Sequence, residues 1–231
     1  MTRSSTKQPL CVVGVIASCA DLDRARRMRR LPDLFELRLD CLADASGHLQ
    51  ITLPKLRRPL IITARHPCEG GTGKLSLRQR RDLLMRFLSH ADYLDVELRS
   101  ASGLRRLLEV AETKKVRRII SFHDFKSTPS KRVLAAKARA AKAHRADVFK
   151  VATRTDTPME LGRLLEFMTN SRVDIPLSIM GIGKLGAISR VLLARAGSVL
   201  IYASLCTTVT EGQLSVEQLR ALGIGRITNP E

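Results

Sequence analysis

The chain has 231 residues, 44% of them hydrophobic, and sets 40 Lys and Arg against 22 Asp and Glu for a formal charge of +18. That is enough apolar residue to bury a substantial core, and no run is long and apolar enough to span a membrane, which excludes a helical membrane protein. The basic excess suits nucleic acid, a small anionic substrate or a solvated surface; with no Trp, two Tyr and most of the charge on helix-like segments (Arg24, Arg26, Arg27, Lys137, Arg139), no nucleic-acid partner is expected.

In chain order, residues 1–9 read as a tail before a first strand over 11–18. Arg3 and Lys7 ahead of this apolar run, and Ile16-Ala17-Ser18-Cys19 at its end, imitate an exported lipoprotein, but the β-branched Val12, Val13, Val15 and Ile16 favour a buried strand. The second strand, 34–40, alternates so that Glu36, Arg38 and Asp40 share one face. Three charges on one strand face are costly to bury unless they pair or serve a site. The link over 41–58 has little periodicity and contains Pro54. A third strand is expected over 59–65, followed by Glu69 and a helix opened by the capping box Ser76-x-x-Gln79, with Leu77, Leu83, Leu84, Phe87 and Leu88 at helical spacing.

The fourth strand, 93–98, carries Asp95 and Glu97, and the fifth, 117–124, ends at His123 and Asp124. The sixth, 146–153, is apolar except for Lys150 in Val148-Phe149-Lys150-Val151-Ala152. Thr157-x-x-Glu160, with Pro158 in the first turn, then starts a helix. The seventh strand, 175–181, contains Met180 and leads into Gly181-Ile182-Gly183-Lys184-Leu185-Gly186. That spacing imitates a dinucleotide fingerprint, but no acidic residue ends the next strand, so the glycines read as a tight turn that lets Arg190 reach a site. The eighth strand, 198–204, holds Tyr202. The segment 205–213 reads as a mobile lid leading to a helix capped by Ser215-x-x-Gln218.

Eight near-continuous apolar strands separated by helices, at about 29 residues per unit, suit a single-domain (β/α)8 TIM barrel over residues 1–231, a fold usually of about 250 residues; a doubly wound sheet is the alternative. The barrel is preferred because the polar residues collect at strand C-terminal ends, where barrel sites form. Lys150 stands out there. A free lysine, with a pKa of about 10.4, is neutral in only about one copy per thousand at pH 7, whereas desolvation and nearby cations yield an amine able to attack a ketone. Alone, such a lysine reads first as a snorkelling or salt-bridged strand-end residue. His123, one strand earlier, is either a core histidine or a proton shuttle. The cysteines Cys11, Cys19, Cys41, Cys68 and Cys206 form no C-x-x-C pair, so neither a disulfide framework nor a metal site is expected.

Taken together, Glu36-Leu37-Arg38-Leu39-Asp40, Thr63-Ala64-Arg65 with Glu69-Gly70-Gly71, Asp95-Val96-Glu97, Ser121-Phe122-His123-Asp124-Phe125, Phe149-Lys150-Val151, Met180-Gly181, Ser189-Arg190 and Gly212-Gln213-Leu214-Ser215 resemble the class I 3-dehydroquinate dehydratases in order and spacing across essentially the whole chain. The resemblance implies an imine between Lys150 and the C3 ketone of 3-dehydroquinate, His123 as general acid and base, and Glu69 orienting that histidine. It also implies Arg190 on the substrate carboxylate, Glu36, Arg38, Arg65 and Gln213 around its hydroxyls, and Met180 packed beside the imine. Tyr202 stands where phenylalanine is more usual. It implies no cofactor and no metal, a cytoplasmic homodimer, and a place in the shikimate pathway to aromatic amino acids. The lid departs from the pattern: Val209 stands where the family commonly has serine, among Thr207, Thr208 and Thr210. An imine-forming aldolase is the nearest enzyme rival. It would share Lys150 but would not require Glu69, His123 and Arg190.

Overall fold

A computed structural model describes residues 9–206 and 210–225. Its strands are β1 (Cys11–Ile16), β2 (Leu34–Arg38), β3 (Leu60–Thr63), β4 (Tyr93–Glu97), β5 (Arg117–Asp124), β6 (Val148–Arg154), β7 (Leu177–Ile182) and β8 (Leu200–Ser204). All neighbouring pairs are parallel, in the order β7-β6-β5-β4-β3-β2-β1-β8. The helices are α1 (Cys19–Arg27), α2 (Ser46–Thr52), α3 (Leu77–Phe87), α4 (Leu98–Ala101), α5 (Arg105–Thr113), α6 (Lys131–Ala143), α7 (Pro158–Asn170), α8 (Gly186–Ala196) and α9 (Val216–Ala221). The result is a nearly closed (β/α)8 TIM barrel, and all eight predicted strands are present within a few residues of their expected ends. Of the predicted tail over 1–9, residues 1–8 lie outside the described residues.

The seam between β7 and β8 is joined differently from the rest. One backbone bond, Val199 N–H to the Leu177 carbonyl at 2.9 Å, is supplemented by serine side chains. Ser198 Oγ accepts from Ile179 N–H at 3.0 Å, and Ser178 Oγ donates to the Leu200 carbonyl at 3.1 Å.

Period-two alternation divides each strand between two environments. Outward residues such as Phe35, Leu37, Ile62, Leu94, Ile120, Phe149 and Val151 are fully buried under the helices, each worth about 1.5–3 kcal/mol of hydrophobic stabilisation. Inward residues Val13, Leu34, Ile61, Ile119, Val148 and Leu200 form a second apolar cluster that fills part of the barrel interior. The charged side chains lie toward the C-terminal strand ends.

The three expected capping boxes all form, at Ser76, Thr157 and Ser215. The aperiodic link 41–58 holds only the short α2 and two single 3-10 turns, anchored by buried Leu49 and Leu53. The run that imitated an export signal is β1, buried over all but its first residue, with Cys19 exposed at the start of α1. One expectation needs correcting. β2 stops at Arg38, so Asp40 is not on the strand face; it sits in the following turn, where its carboxylate accepts from the backbone N–H of Arg65 at 3.1 Å and of Thr72 at 3.0 Å. Among the described residues no helix is long and apolar enough to cross a membrane.

Candidate active site

Lys150 is the fixed point from which the site can be built. The β5–β6 register sets it beside Ser121 and sets Ala152 beside His123, so both side chains rise on the inner face one layer apart. Lys150 Nζ donates to Asp95 Oδ2 at 3.0 Å and to Glu36 Oε1 at 3.3 Å, and lies 3.8 Å from the centroid of the Tyr202 ring. Thr63 Oγ1 steadies Glu36 at 2.8 Å. Arg65 grips Asp95 with two bonds, at 3.1 and 2.9 Å, and reaches Glu97 at 3.2 Å. Burial works against the charge on both Asp95 and Arg65, but it is outweighed. Arg65 and Lys150 hold Asp95 well below the usual carboxylate range, while Asp95 and Glu97 hold Arg65 above its ordinary value.

His123 is braced by a single carboxylate oxygen. Glu69 Oε2 accepts from the His123 backbone N–H at 3.0 Å and lies 3.0 Å from Nδ1. A proton on Nδ1 completes that bond and leaves Nε2 bare, a tautomer assigned from the hydrogen-bonding pattern. Burial, reinforced by Arg65 and Lys150, lowers the His123 pKa well below its ordinary value, so the ring is neutral and ready to accept a proton. Burial and then the nearby Glu97 carboxylate push Glu69 up to about 7. Arg38 is clamped by Asp40 at 3.0 and 2.8 Å and by the Gly70 carbonyl at 2.9 Å, which ties the loop bearing Glu69 to β2.

Arg190 differs from the other buried cations. It is 3% exposed, and among the described residues its Nη1 meets only the Tyr202 carbonyl at 3.1 Å and Met180 Sδ at 3.4 Å, while its Nε has no partner there. No carboxylate among the described residues pairs with it. Burial alone pushes its pKa down to about 10, still charged at neutral pH. A buried, charged and under-coordinated guanidinium is a socket for an anion, best for a planar carboxylate. The Tyr202 hydroxyl is also buried without a partner; burial, then Glu36 and Asp95, raise its pKa well above the ordinary value and keep the phenol neutral.

One cavity of about 290 Å³ brings all ten sequence-predicted residues together: Lys150, His123, Glu69, Glu36, Arg38, Arg65, Met180, Arg190, Tyr202 and Gln213. The glycines after β7 serve a close backbone approach rather than a phosphate. A Cβ on Gly212, which has φ of 78°, would stand 2.6 Å from Gly186 Cα, so the loop after β8 rests directly on the start of α8. Of the predicted lid, Thr210, Glu211 and Gln213 line the cavity, while Thr207, Thr208 and Val209 lie outside the described residues.

Sequence reasoning missed Arg154 and Phe125 as lining residues. Arg154 was within reach, since it follows Lys150 and Ala152 at period two on β6. It bonds Asp156 at 2.6 Å and Glu211 at 3.1 Å, joining the end of β6 to the loop after β8. Among the described residues no group of three or more His, Cys, Asp or Glu is disposed to hold a metal ion, and the five cysteines are free.

Comparison with known proteins agrees with this arrangement. The family described as type I 3-dehydroquinase matches residues 10–223. A 3-dehydroquinate dehydratase of Pyrococcus abyssi is 34% identical over 202 residues, spanning 84% of this chain and 89% of that protein. One from Geobacillus sp. is 30% identical over 234 residues, spanning 95% and 90%. The crystal structure of 3-dehydroquinate dehydratase from Geobacillus kaustophilus superposes with a TM-score of 0.83 at 27% identity, covering 92% of this chain and 89% of that one. With a family match over nearly its whole length and relatives at or above 30% identity, the chain belongs to the type I 3-dehydroquinase family.

Proposed function

We propose that the protein is a 3-dehydroquinate dehydratase, a hydro-lyase that converts 3-dehydroquinate to 3-dehydroshikimate and water through an imine on Lys150. The observation that carries this reading is the pairing of a buried lysine, held between two carboxylates, with a buried arginine that has no carboxylate of its own, in one cavity with a neutral histidine. A substrate that is both a ketone and a carboxylate answers both groups at once.

In this reading Arg190 takes the substrate carboxylate in its planar fork, and Met180 packs beside the ketone carbon. The Lys150 ammonium gives a proton to solvent, the free amine adds to C3, and the carbinolamine takes up a proton and loses water, giving an iminium. The iminium is a stronger electron sink than the ketone and acidifies the C2 hydrogen. His123 Nε2 removes that proton, and the C–H electron pair moves into an enamine. The enamine then expels the C1 hydroxyl, which leaves as water with the proton His123 has just gained. Water hydrolyses the conjugated iminium and frees Lys150, so the net change is loss of one water. Glu69 holds the His123 tautomer throughout, while Glu36, Arg38, Arg65 and Gln213 set the face that the substrate hydroxyls meet. The imine supplies the electron sink, so the scheme calls for no metal or organic cofactor. The proposal includes a cytoplasmic homodimer acting in the shikimate pathway to aromatic amino acids.

The test is direct. The purified protein given 3-dehydroquinate is expected to generate the ultraviolet absorbance of a conjugated enone. Borohydride added during turnover is expected to fix a ligand-sized mass on the peptide containing Lys150. Enone formation with the label on another lysine, such as Lys184, would remove Lys150 from the mechanism. No enone at all would remove the activity.

A further inference from the structure

The charged layer holds one cation for which the reaction has no direct use. Arg80 lies on α3, outside the barrel, yet is 1% exposed, whereas the side chains of Arg78 and Arg81 on the same helix are 84% and 47% exposed. Its Nη1 donates to Glu97 Oε2 at 2.8 Å and to the Ala64 carbonyl at 3.2 Å, and its Nη2 donates to Ser100 Oγ at 2.9 Å. Its Nε is buried without a partner. As a strut between α3 and β4 this arrangement is poor value, because removing a guanidinium from water is costly and well-packed apolar residues often replace buried ion pairs without loss of stability.

Charge balance supplies a better reason. The other oxygen of Glu97 accepts from Arg65 Nη1 at 3.2 Å and from the His66 backbone N–H at 2.8 Å. Arg65 also holds Asp95, and Asp95 holds Lys150. Glu36, Asp95 and Glu97 therefore meet Arg65, Arg80 and Lys150, three carboxylates against three cations. Without Arg80, Glu97 keeps Arg65 as its one cation among the described residues, and Arg65 is already shared with Asp95 and, at 3.8 Å, with Glu36. The cluster gains a net buried negative charge, and a protonated Lys150 is the group that answers it.

We propose that Arg80 is a positioning residue for the imine-forming lysine: by neutralising Glu97 it keeps Arg65 committed to Asp95, and so sets how readily Lys150 releases its proton. This rests on the assignment of Lys150 above. The charged or titratable groups facing Lys150 are Glu36 from β2, Arg65 from β3, Asp95 from β4, His123 from β5 and Tyr202 from β8. β1 and β7 present Val15, Ser178 and Met180, and Arg38 of β2, Glu69 of the loop after β3 and Arg190 of α8 line the same cavity. Around Glu97 stand Arg65, Arg80, His66 and Glu69. None of these groups is altered in the variants below except Arg80 and Glu97.

The experiment measures the pH at which borohydride traps half the maximal label on Lys150 in the presence of 3-dehydroquinate, together with kcat and KM. Arg80→Met is expected to move that half-point to higher pH by about one unit and to lower kcat at pH 7 about tenfold, since one pH unit is a tenfold change in the free amine. KM should change little, because Arg190 is untouched. Glu97→Gln removes a negative charge instead, and is expected to move the half-point to lower pH. The Arg80→Met/Glu97→Gln double variant restores the balance and is expected to return close to the wild-type value. A merely structural role would lower melting temperature without this alternation of sign. An unmoved half-point in Arg80→Met, or one that moves equally in the double variant, overturns the proposal. Should Arg80→Met fail to fold, the absence of an acid shift in Glu97→Gln overturns it just as well. If the wild-type protein does not trap on Lys150, the assignment of the lysine fails instead, an outcome distinct from wild-type trapping with unmoved half-points.

Discussion

The two sides of the barrel mouth treat charge in opposite ways. From β2 to β6 every buried cation has a carboxylate: Arg38 has Asp40, Arg65 has Asp95 and Glu97, and Lys150 has Glu36 and Asp95. Across the cavity, where β7, β8 and α8 meet, Arg190 has, among the described residues, a carbonyl and a thioether, and the Tyr202 hydroxyl has no partner among them. Pairing fixes side chains in place before any ligand arrives, which suits groups that must react in one geometry. Leaving a guanidinium unpaired stores an interaction for the ligand to complete. On the proposed reading, the molecule separates a preassembled reactive side from a side that waits for an anion.

Removing the centre of the paired side should have the largest effect. Lys150→Met is expected to lower turnover by on the order of 10⁴-fold or more, because the covalent route disappears; residual enone formation above that level would show that the paired side is not the reactive one. His123→Ala is expected to cost about 10²–10⁴-fold in kcat, the usual range for a general acid–base, while still yielding a borohydride adduct on Lys150. Near wild-type turnover in that variant would take His123 out of the proton path. On the unpaired side, Arg190→Lys keeps the charge but loses the fork, and KM is expected to rise about 10–100-fold, as for a lost charged hydrogen bond of about 1.5–3 kcal/mol. Arg190→Leu sharpens the contrast further. It removes a buried charge without stranding a carboxylate, so the melting temperature is expected to hold or rise as activity is lost. A large fall in melting temperature would show that Arg190 is held by something other than a waiting ligand.

The smallest expected effect is one of pH. The carboxyl of Glu69 is raised from its ordinary value near 4.5 to about 7. Its folded form therefore favours the proton, and the stability this confers is present below pH 4.5 and is lost as pH rises to about 7. Glu69→Gln cannot ionise, so the melting temperature of the variant should gain on that of the wild type across this window and run parallel outside it. The gain should reach several degrees, at roughly 2–4 °C for each kcal/mol in a chain of this size. Parallel curves throughout would mean that Glu69 ionises as it does in the unfolded chain.

Much of this was legible in the sequence because it is local or periodic. Lys150 interrupts an otherwise apolar strand, and Ser76, Thr157 and Ser215 stand immediately before their helices, each with its capping-box partner three residues on. What could not be read was partnership across the barrel. Lys150 and Glu36 are 114 residues apart, and nothing in either neighbourhood names the other. Arg80 was invisible for a different reason. It stands in Leu77-Arg78-Gln79-Arg80-Arg81, where a run of arginines reads as a solvated face, and only its ion pair with Glu97 of β4 shows that one of them turns inward. Asp40 was misplaced because alternation was carried past the end of β2, where the chain had already turned to meet the loop that follows β3.

The serine-stitched seam between β7 and β8 gives the barrel an uneven mechanical character. Seven of its junctions are continuous parallel ladders, whereas the eighth depends on one backbone bond and the hydroxyls of Ser178 and Ser198. Local opening follows the least cooperative joint. The seam is therefore where the wall breathes first, and the amide of Ile179, bonded to a hydroxyl rather than to a neighbouring strand, should exchange its hydrogen ahead of amides in the β5–β6 ladder beside Lys150. The strands on either side of that joint carry Met180 and Tyr202, the contacts of Arg190, so the softest line in the wall runs beneath that guanidinium, while Lys150 stands one strand back, in the continuous β5–β6 and β6–β7 ladders.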